Sequence, residues 1–142
     1  MLLGGVDMSI GNGGTAVKIL ENKSILIFNY GGYNLNIEQY RNEGKIYDGQ
    51  IIIRKAALVE PEIHEKQKKM PSGKRKLVTK RILVEVPYEE LFEKQMIEVK
   101  NCSNCWQTMQ GGMDYVALRL IWKIFDQYQE KGTIEDTISY DV

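Results

Sequence analysis

Two features of the chain predict an α+β fold, a mainly antiparallel sheet packed by one long C-terminal helix and one or two short helices. Short β-branched and aromatic runs separated by glycine fill the first half, as a meander of strands requires, and a broad apolar stripe at helical spacing lies near the C-terminus. At 142 residues, with 43% hydrophobic residues, 27% charged residues and three prolines, the composition is that of a globular chain rather than a disordered or fibrous one. The expected organisation is a single domain over 1–142, with an exposed basic helix or hairpin arm over about 61–76.

The N-terminal meander comes first. GNGG (Gly11 to Gly14) and ENKS (Glu21 to Ser24) flank TAVKIL and SILIFNY, and they hold residues that tolerate turn conformations. The stretch GGYNLNIEQYRNEGKIY has weak periodicity and predicts a loop with one short strand. GQIIIRKAALV predicts a strand over about 50–59, and its three consecutive isoleucines point to a central position covered on both faces.

From Pro61 to Met70 two readings compete. Pro61 at a first helical position, early Glu62 and Glu65, and late Lys66, Lys68 and Lys69 suit a helix and its dipole. The turn signal MPSGK followed by the alternating KLVTKRILVEV suits a hairpin. Next, PYEELFEKQ predicts a short helix and MIEVK a strand. A helix from about Met113 to Lys131 ends at Gly132, and TIEDTISYDV adds a last strand. One helix stripe holds Met113, Ala117, Leu120, Ile121, Ile124 and Tyr128. A second holds Tyr115, Leu118, Trp122 and Phe125, so the apolar surface is wider than one sheet needs, which predicts a homo-oligomer formed through Met113 to Lys131.

Charge is distributed unevenly. The chain carries 19 bases and 19 acids, yet Glu65 to Arg81 holds eight bases (Lys66, Lys68, Lys69, Lys74, Arg75, Lys76, Lys80, Arg81) and one acid, leaving 11 bases and 18 acids elsewhere. Such a focus of positive potential attracts anionic partners, whereas its bland reading is a solvated face whose lysines keep a hairpin edge from aggregating. Tyr30, Tyr33, Tyr40 and Tyr47 cluster in a Gly- and Asn-rich stretch; they are either stacking platforms for a base or ordinary strand residues.

The search for catalytic chemistry is negative. His64 is the single histidine, the paired acids Glu89/Glu90 and Glu135/Asp136 are adjacent and do not face one another on a helix, and no Walker loop, dinucleotide fingerprint or zinc-protease motif occurs. Cys102 and Cys105 in NCSNCW form half of a zinc site. Zinc would require a site shared between chains, or His64 with a further ligand; structural or incidental thiols are the plainer expectation, and no other cofactor is expected. No apolar run reaches the roughly 18 residues of a bilayer span, and the N-terminus lacks a basic leader region and gains Asp7, so a cytoplasmic protein without membrane contact is expected.

The resulting expectation is a non-enzymatic protein that binds a phosphate-bearing ligand, either nucleotide or nucleic acid, through Lys66 to Arg81 with help from Arg54, Lys55, Tyr30 and Tyr33. The alternative is a protein-interaction module or inhibitor that lays the basic arm on an acidic protein surface. Fourteen lysines against five arginines favour point-charge contact with phosphate over reading of base edges. Small size, a compact α+β pattern and no catalytic machinery are also the general style of a phage or mobile-element protein, a likeness that no motif carries.

Overall fold

The computed structural model describes residues 11–142. The segment containing Asp7, on which the leader reading rests, lies outside them. Five strands build one antiparallel sheet: β1 (Asn12–Glu21), β2 (Ile25–Asn34), β3 (Gly49–Arg54), β6 (Ile97–Lys100) and β7 (Thr137–Asp141), in the order β6-β3-β2-β1-β7. Two further strands, β4 (Glu62–Lys69) and β5 (Arg75–Ile82), pair only with each other. Helices α1 (Tyr88–Glu93) and α2 (Tyr115–Lys131) complete the α+β architecture that the sequence predicts.

The meander closes through Asn22, whose Oδ1 accepts from the backbone N–H groups of Ser24 at 2.8 Å and Ile25 at 2.9 Å. This is the side-chain mimicry of a turn that makes Asn frequent there. The alternation of β2 and β3 then puts Leu26, Phe28, Tyr30, Ile51 and Ile53 on the face that meets α2, where Val116, Ala117, Leu120, Ile121 and Ile124 are also buried. Ile52 is only half-buried. The doubly covered position expected for the isoleucine run is therefore corrected: β3 is paired on both sides but lies next to the edge strand β6, and its second face is only partly covered.

GNGG is also corrected. Gly13 and Gly14 belong to β1 instead of a turn, and Gly14 pairs across the ladder with Gly32. A Cβ on Gly14 would stand 2.5 Å from Val116 Cγ1, and one on Gly32 would stand 2.9 Å from Val116 Cγ2. Bare backbone at these two facing positions lets the first turn of α2 settle on the sheet. After β2 the chain forms no further strand before β3, only a 3-10 turn over Glu38–Tyr40. Its loop is held by Asn42, which donates to the carbonyls of Gly32 and Ile46 at 3.0 Å each.

Helix α2 begins at Asp114, whose Oδ1 accepts from Val116 N–H at 3.0 Å, and stops at Gly132 with φ 76°. Its second stripe is largely covered within the chain. Phe125 is 1% exposed and meets Tyr88 of α1 edge-on with ring centroids 5.4 Å apart, and Leu118 is buried as well. Trp122 stays 38% exposed, edge-on to Tyr115. Part of the excess apolar width is thus covered by Tyr88 of α1. No helix among the described residues is long and apolar enough to cross a membrane.

Candidate polyanion-binding arm

The competition over 61–76 resolves as a hairpin. Eight residues in each strand make a ribbon of roughly 27 Å, and every residue from Glu62 to Arg81 is exposed. At the tip Met70 N–H donates to Lys74 O at 2.7 Å and Gly73 N–H to Met70 O at 2.9 Å, with Gly73 at φ 87°. Pro71 stands second in this turn, where its fixed φ suits the bend, and Gly73 takes the left-handed position.

The register decides how the charges are arranged. Residues directly opposite share a face, and faces alternate along each strand. One face carries His64, Lys66 and Lys68 opposite Lys80, Val78 and Lys76; the other carries Ile63, Gln67 and Lys69 opposite Arg81, Leu77 and Arg75. Lys68 faces Lys76, and Lys69 faces Arg75. Like charges in directly opposed positions destabilise a ribbon. Nevertheless, none of the arm's lysines or arginines forms an ion pair among the described residues, whereas Lys18, Lys55, Lys94 and Lys131 do. His64 lies 3.1 Å from Glu62, and Arg75 Nη1 donates to Gln67 Oε1 at 3.4 Å.

The eighth base has a different task. Arg81 Nε donates to the carbonyl of Gln129 at 2.9 Å, in the last turn of α2, where a cation complements the helix dipole. The Gln129 side chain, 1% exposed, also bonds both backbone polar groups of Val84. On the other root, Tyr128 OH donates to Glu60 Oε2 just before β4. One helix end thereby holds both roots of the arm. Sequence reasoning missed Glu60, Tyr128 and Gln129, because their pairing joins positions 45 to 68 residues apart and leaves no local pattern.

The remaining predicted residues are dispersed. Arg54 is exposed at the end of β3, opposite Ile25. Tyr30 is corrected from ligand platform to core residue: it is 0% exposed, so no base can stack on its ring. Its hydroxyl donates to Asp114 Oδ2 at 2.9 Å and accepts from Cys102 N–H at 3.2 Å. Tyr33, three residues on and so on the opposite face of β2, is half-buried and lines a 400 Å³ pocket with Tyr47, Arg41 and Lys45. Burial, and secondarily the charge of Asp141, raises the pKa of its phenol.

Cys102 and Cys105 lie in the connection from β6 to α2. Cys102 Sγ donates to Asp114 Oδ2 at 3.1 Å, and Asp114 N–H donates to Asn101 Oδ1 at 2.9 Å, so the helix cap and the cysteine loop form one buried polar network. Burial first, then the interaction with Asp114, pushes the Cys102 thiol up to about 12; burial and Asp114 push Cys105 up to about 11. Both shifts favour the thiol over the thiolate that nucleophilic attack uses. Among the described residues no cluster of three or more His, Cys, Asp or Glu side chains is arranged to hold a metal ion.

Comparison with protein families, with curated proteins and with solved structures finds no match to this chain.

Proposed function

We propose that this chain is a non-enzymatic binding protein whose hairpin arm holds a phosphate-bearing polyanion, with nucleic acid as the partner. The reading rests on one observation: exposed lysines and an arginine, none of them in an ion pair among the described residues, stand directly opposite one another at Lys68/Lys76 and Lys69/Arg75. A ribbon built this way is relieved of its internal repulsion when phosphates occupy both sides. Lysine's compact charge suits contact with phosphate oxygens and carries little base specificity. High thiol pKa values at Cys102 and Cys105, together with the exposed position of the single histidine, support a binding role over a catalytic one.

Fluorescence anisotropy with a labelled 30-base-pair duplex, read from about 50 to 300 mM salt, tests the reading. Phosphate contacts release counterions, so the logarithm of affinity falls linearly with that of salt, with a slope of roughly −0.9 per contact. Replacing Lys68, Lys69, Arg75 and Lys76 by alanine is expected to weaken binding at least tenfold and to flatten the slope by about 3 to 4. An unchanged affinity and slope in that variant would reduce the arm to a solvated face. Salt-sensitive binding to an acidic protein with none to nucleic acid would replace this partner with the acidic surface.

A further inference from the structure

Resting on the reading of the arm as a nucleic-acid contact, we propose that the arm enters the minor groove of duplex DNA and that Met70 and Pro71 at its tip wedge between base pairs and bend the duplex. Two features of the ribbon carry this. The first is that positive charge near the tip is divided between both faces: Lys68 and Lys76 lie on one, and Lys69 and Arg75 on the other. A ribbon laid flat on a single strand uses one face. A ribbon thrust into a groove presents each face to one wall of phosphates, so both cross-strand pairs are neutralised together.

The second is the chemistry of the tip. Beyond those four bases the chain places an exposed methionine and an exposed proline side by side, on a turn closed by two backbone hydrogen bonds and the left-handed Gly73. Exposed apolar groups amid five bases (Lys68, Lys69, Lys74, Arg75, Lys76) serve no solubility purpose, and although the bend suits Pro71, it does not call for an apolar side chain at Met70. Met and Pro are side chains that minor-groove proteins insert between base steps, unstacking them and kinking the duplex by roughly 20 to 90°. Both arm roots are held on α2, through Tyr128 with Glu60 and Gln129 with Val84, which fixes the base from which the tip projects.

The test uses the full chain and a 30-base-pair duplex with a donor and an acceptor dye at its ends. Wild-type protein is expected to raise energy transfer by bending, to bind duplex in preference to single strand of the same length, and to be displaced by distamycin, a minor-groove ligand. Met70→Ser, which leaves Pro71, Gly73 and the backbone bonds of the turn in place, and the double variant Met70→Ser/Pro71→Ala are expected to lose most of the transfer gain. Their affinity should fall less than about tenfold and their salt slope should be unchanged, since no phosphate contact is removed. Bending that survives in both variants, preference for single strand, or indifference to distamycin each overturns the wedge. If duplex binding remains dependent on Lys68, Lys69, Arg75 and Lys76 while bending is missing in the wild type, the groove-and-wedge inference fails and the binding function stands; if the four-alanine variant binds as the wild type does, both fail.

Discussion

Gln129 grips Val84 with both ends of its amide: Oε1 accepts from Val84 N–H at 2.7 Å, and Nε2 donates to Val84 O at 3.0 Å. The side chain of a helix residue thus serves as the ladder partner for the segment leaving the arm. Replacing it with methionine keeps the volume and removes both bonds, leaving two backbone groups near the core unpaired. The expected cost is about 1 to 3 kcal/mol, read as a shift in urea midpoint at constant slope, with faster amide exchange at Val84. Gln129→Glu retains an acceptor for Val84 N–H and none of the donation, and is expected to fall between the two. Wild-type exchange at Val84 in Gln129→Met would show that the arm is oriented by something else.

The Gly14, Gly32 and Val116 contact makes a second, separable prediction. Gly32→Ala places a methyl 2.9 Å from Val116 Cγ2, so either the helix lifts or the valine shifts. A loss of about 1 to 3 kcal/mol is expected, as for other overpacked cores. Val116→Ala removes the obstacle, and the double variant should therefore lose less than the sum of the two single losses. Strict additivity in the denaturation cycle would mean that the close approach is not what glycine is needed for.

Asp114 unites three tasks, since it caps α2 through Val116 N–H and accepts from both Tyr30 OH and Cys102 Sγ. Loss of a cap costs about 1 kcal/mol, and a stranded buried donor costs about 1 to 3 kcal/mol. Asp114→Ala is expected to lose about 3 kcal/mol in total, more than an ordinary cap, because the Tyr30 and Cys102 donors lose their acceptor. Tyr30→Phe should then cost less in the Asp114→Ala background than in the wild type, because there only the bond from Cys102 N–H is left to lose. An equal cost in both backgrounds would count against the shared network.

What could be read from the sequence was what is local. The periodicity of Tyr115 to Lys131, the stop at Gly132 and the β-branched runs of β1 to β3 each express a preference within a few residues, and the sheet and helix follow them. The hairpin at 62–82 was legible as one of two options, because eight lysine-rich residues before Met70 satisfy helix propensity and solvent exposure equally well, and only pairing with β5 separates them. The role of Tyr30 was not legible. Its burial depends on Asp114, 84 residues away, supplying a partner for the hydroxyl. Likewise, nothing near Phe125 announces that Tyr88 will cover it.

The thiols give a pH dependence with a defined direction. In the folded chain Cys102 is pushed up to about 12 and Cys105 to about 11 from an ordinary value of 9.0. Below about pH 9 both states hold the protons and stability is unaffected by them. As pH rises above 9 the unfolded chain gives up thiol protons that the folded chain retains, so unfolding is increasingly favoured up to about pH 12. A melting temperature level from pH 7 to 8.5 and falling from pH 9 to 11 is expected, with a shallower fall in Cys102→Ser/Cys105→Ser. Slow alkylation by iodoacetamide at pH 8 in the native state, and fast alkylation in urea, should accompany it; rapid native alkylation of Cys102 would contradict its burial beside Asp114.

Trp122 and Phe125 lie one turn apart in α2 and differ in what covers them. Phe125 is enclosed by the core and the edge of Tyr88, so Phe125→Ala removes a ring from a packed site and is expected to cost about 3 to 5 kcal/mol. Trp122 keeps more than a third of its surface in solvent and touches Tyr115 along one edge. Trp122→Ala is expected to cost about 1 kcal/mol or less, near the range of exposed positions. Light scattering on the same three proteins separates packing within the chain from packing between copies. A wild-type mass that drops in Trp122→Ala, or a stability loss there that matches Phe125→Ala and depends on protein concentration, would place the tryptophan in an interface. Equal and concentration-independent losses would instead mean that the exposed ring is held by the chain itself, contrary to the division between the two positions.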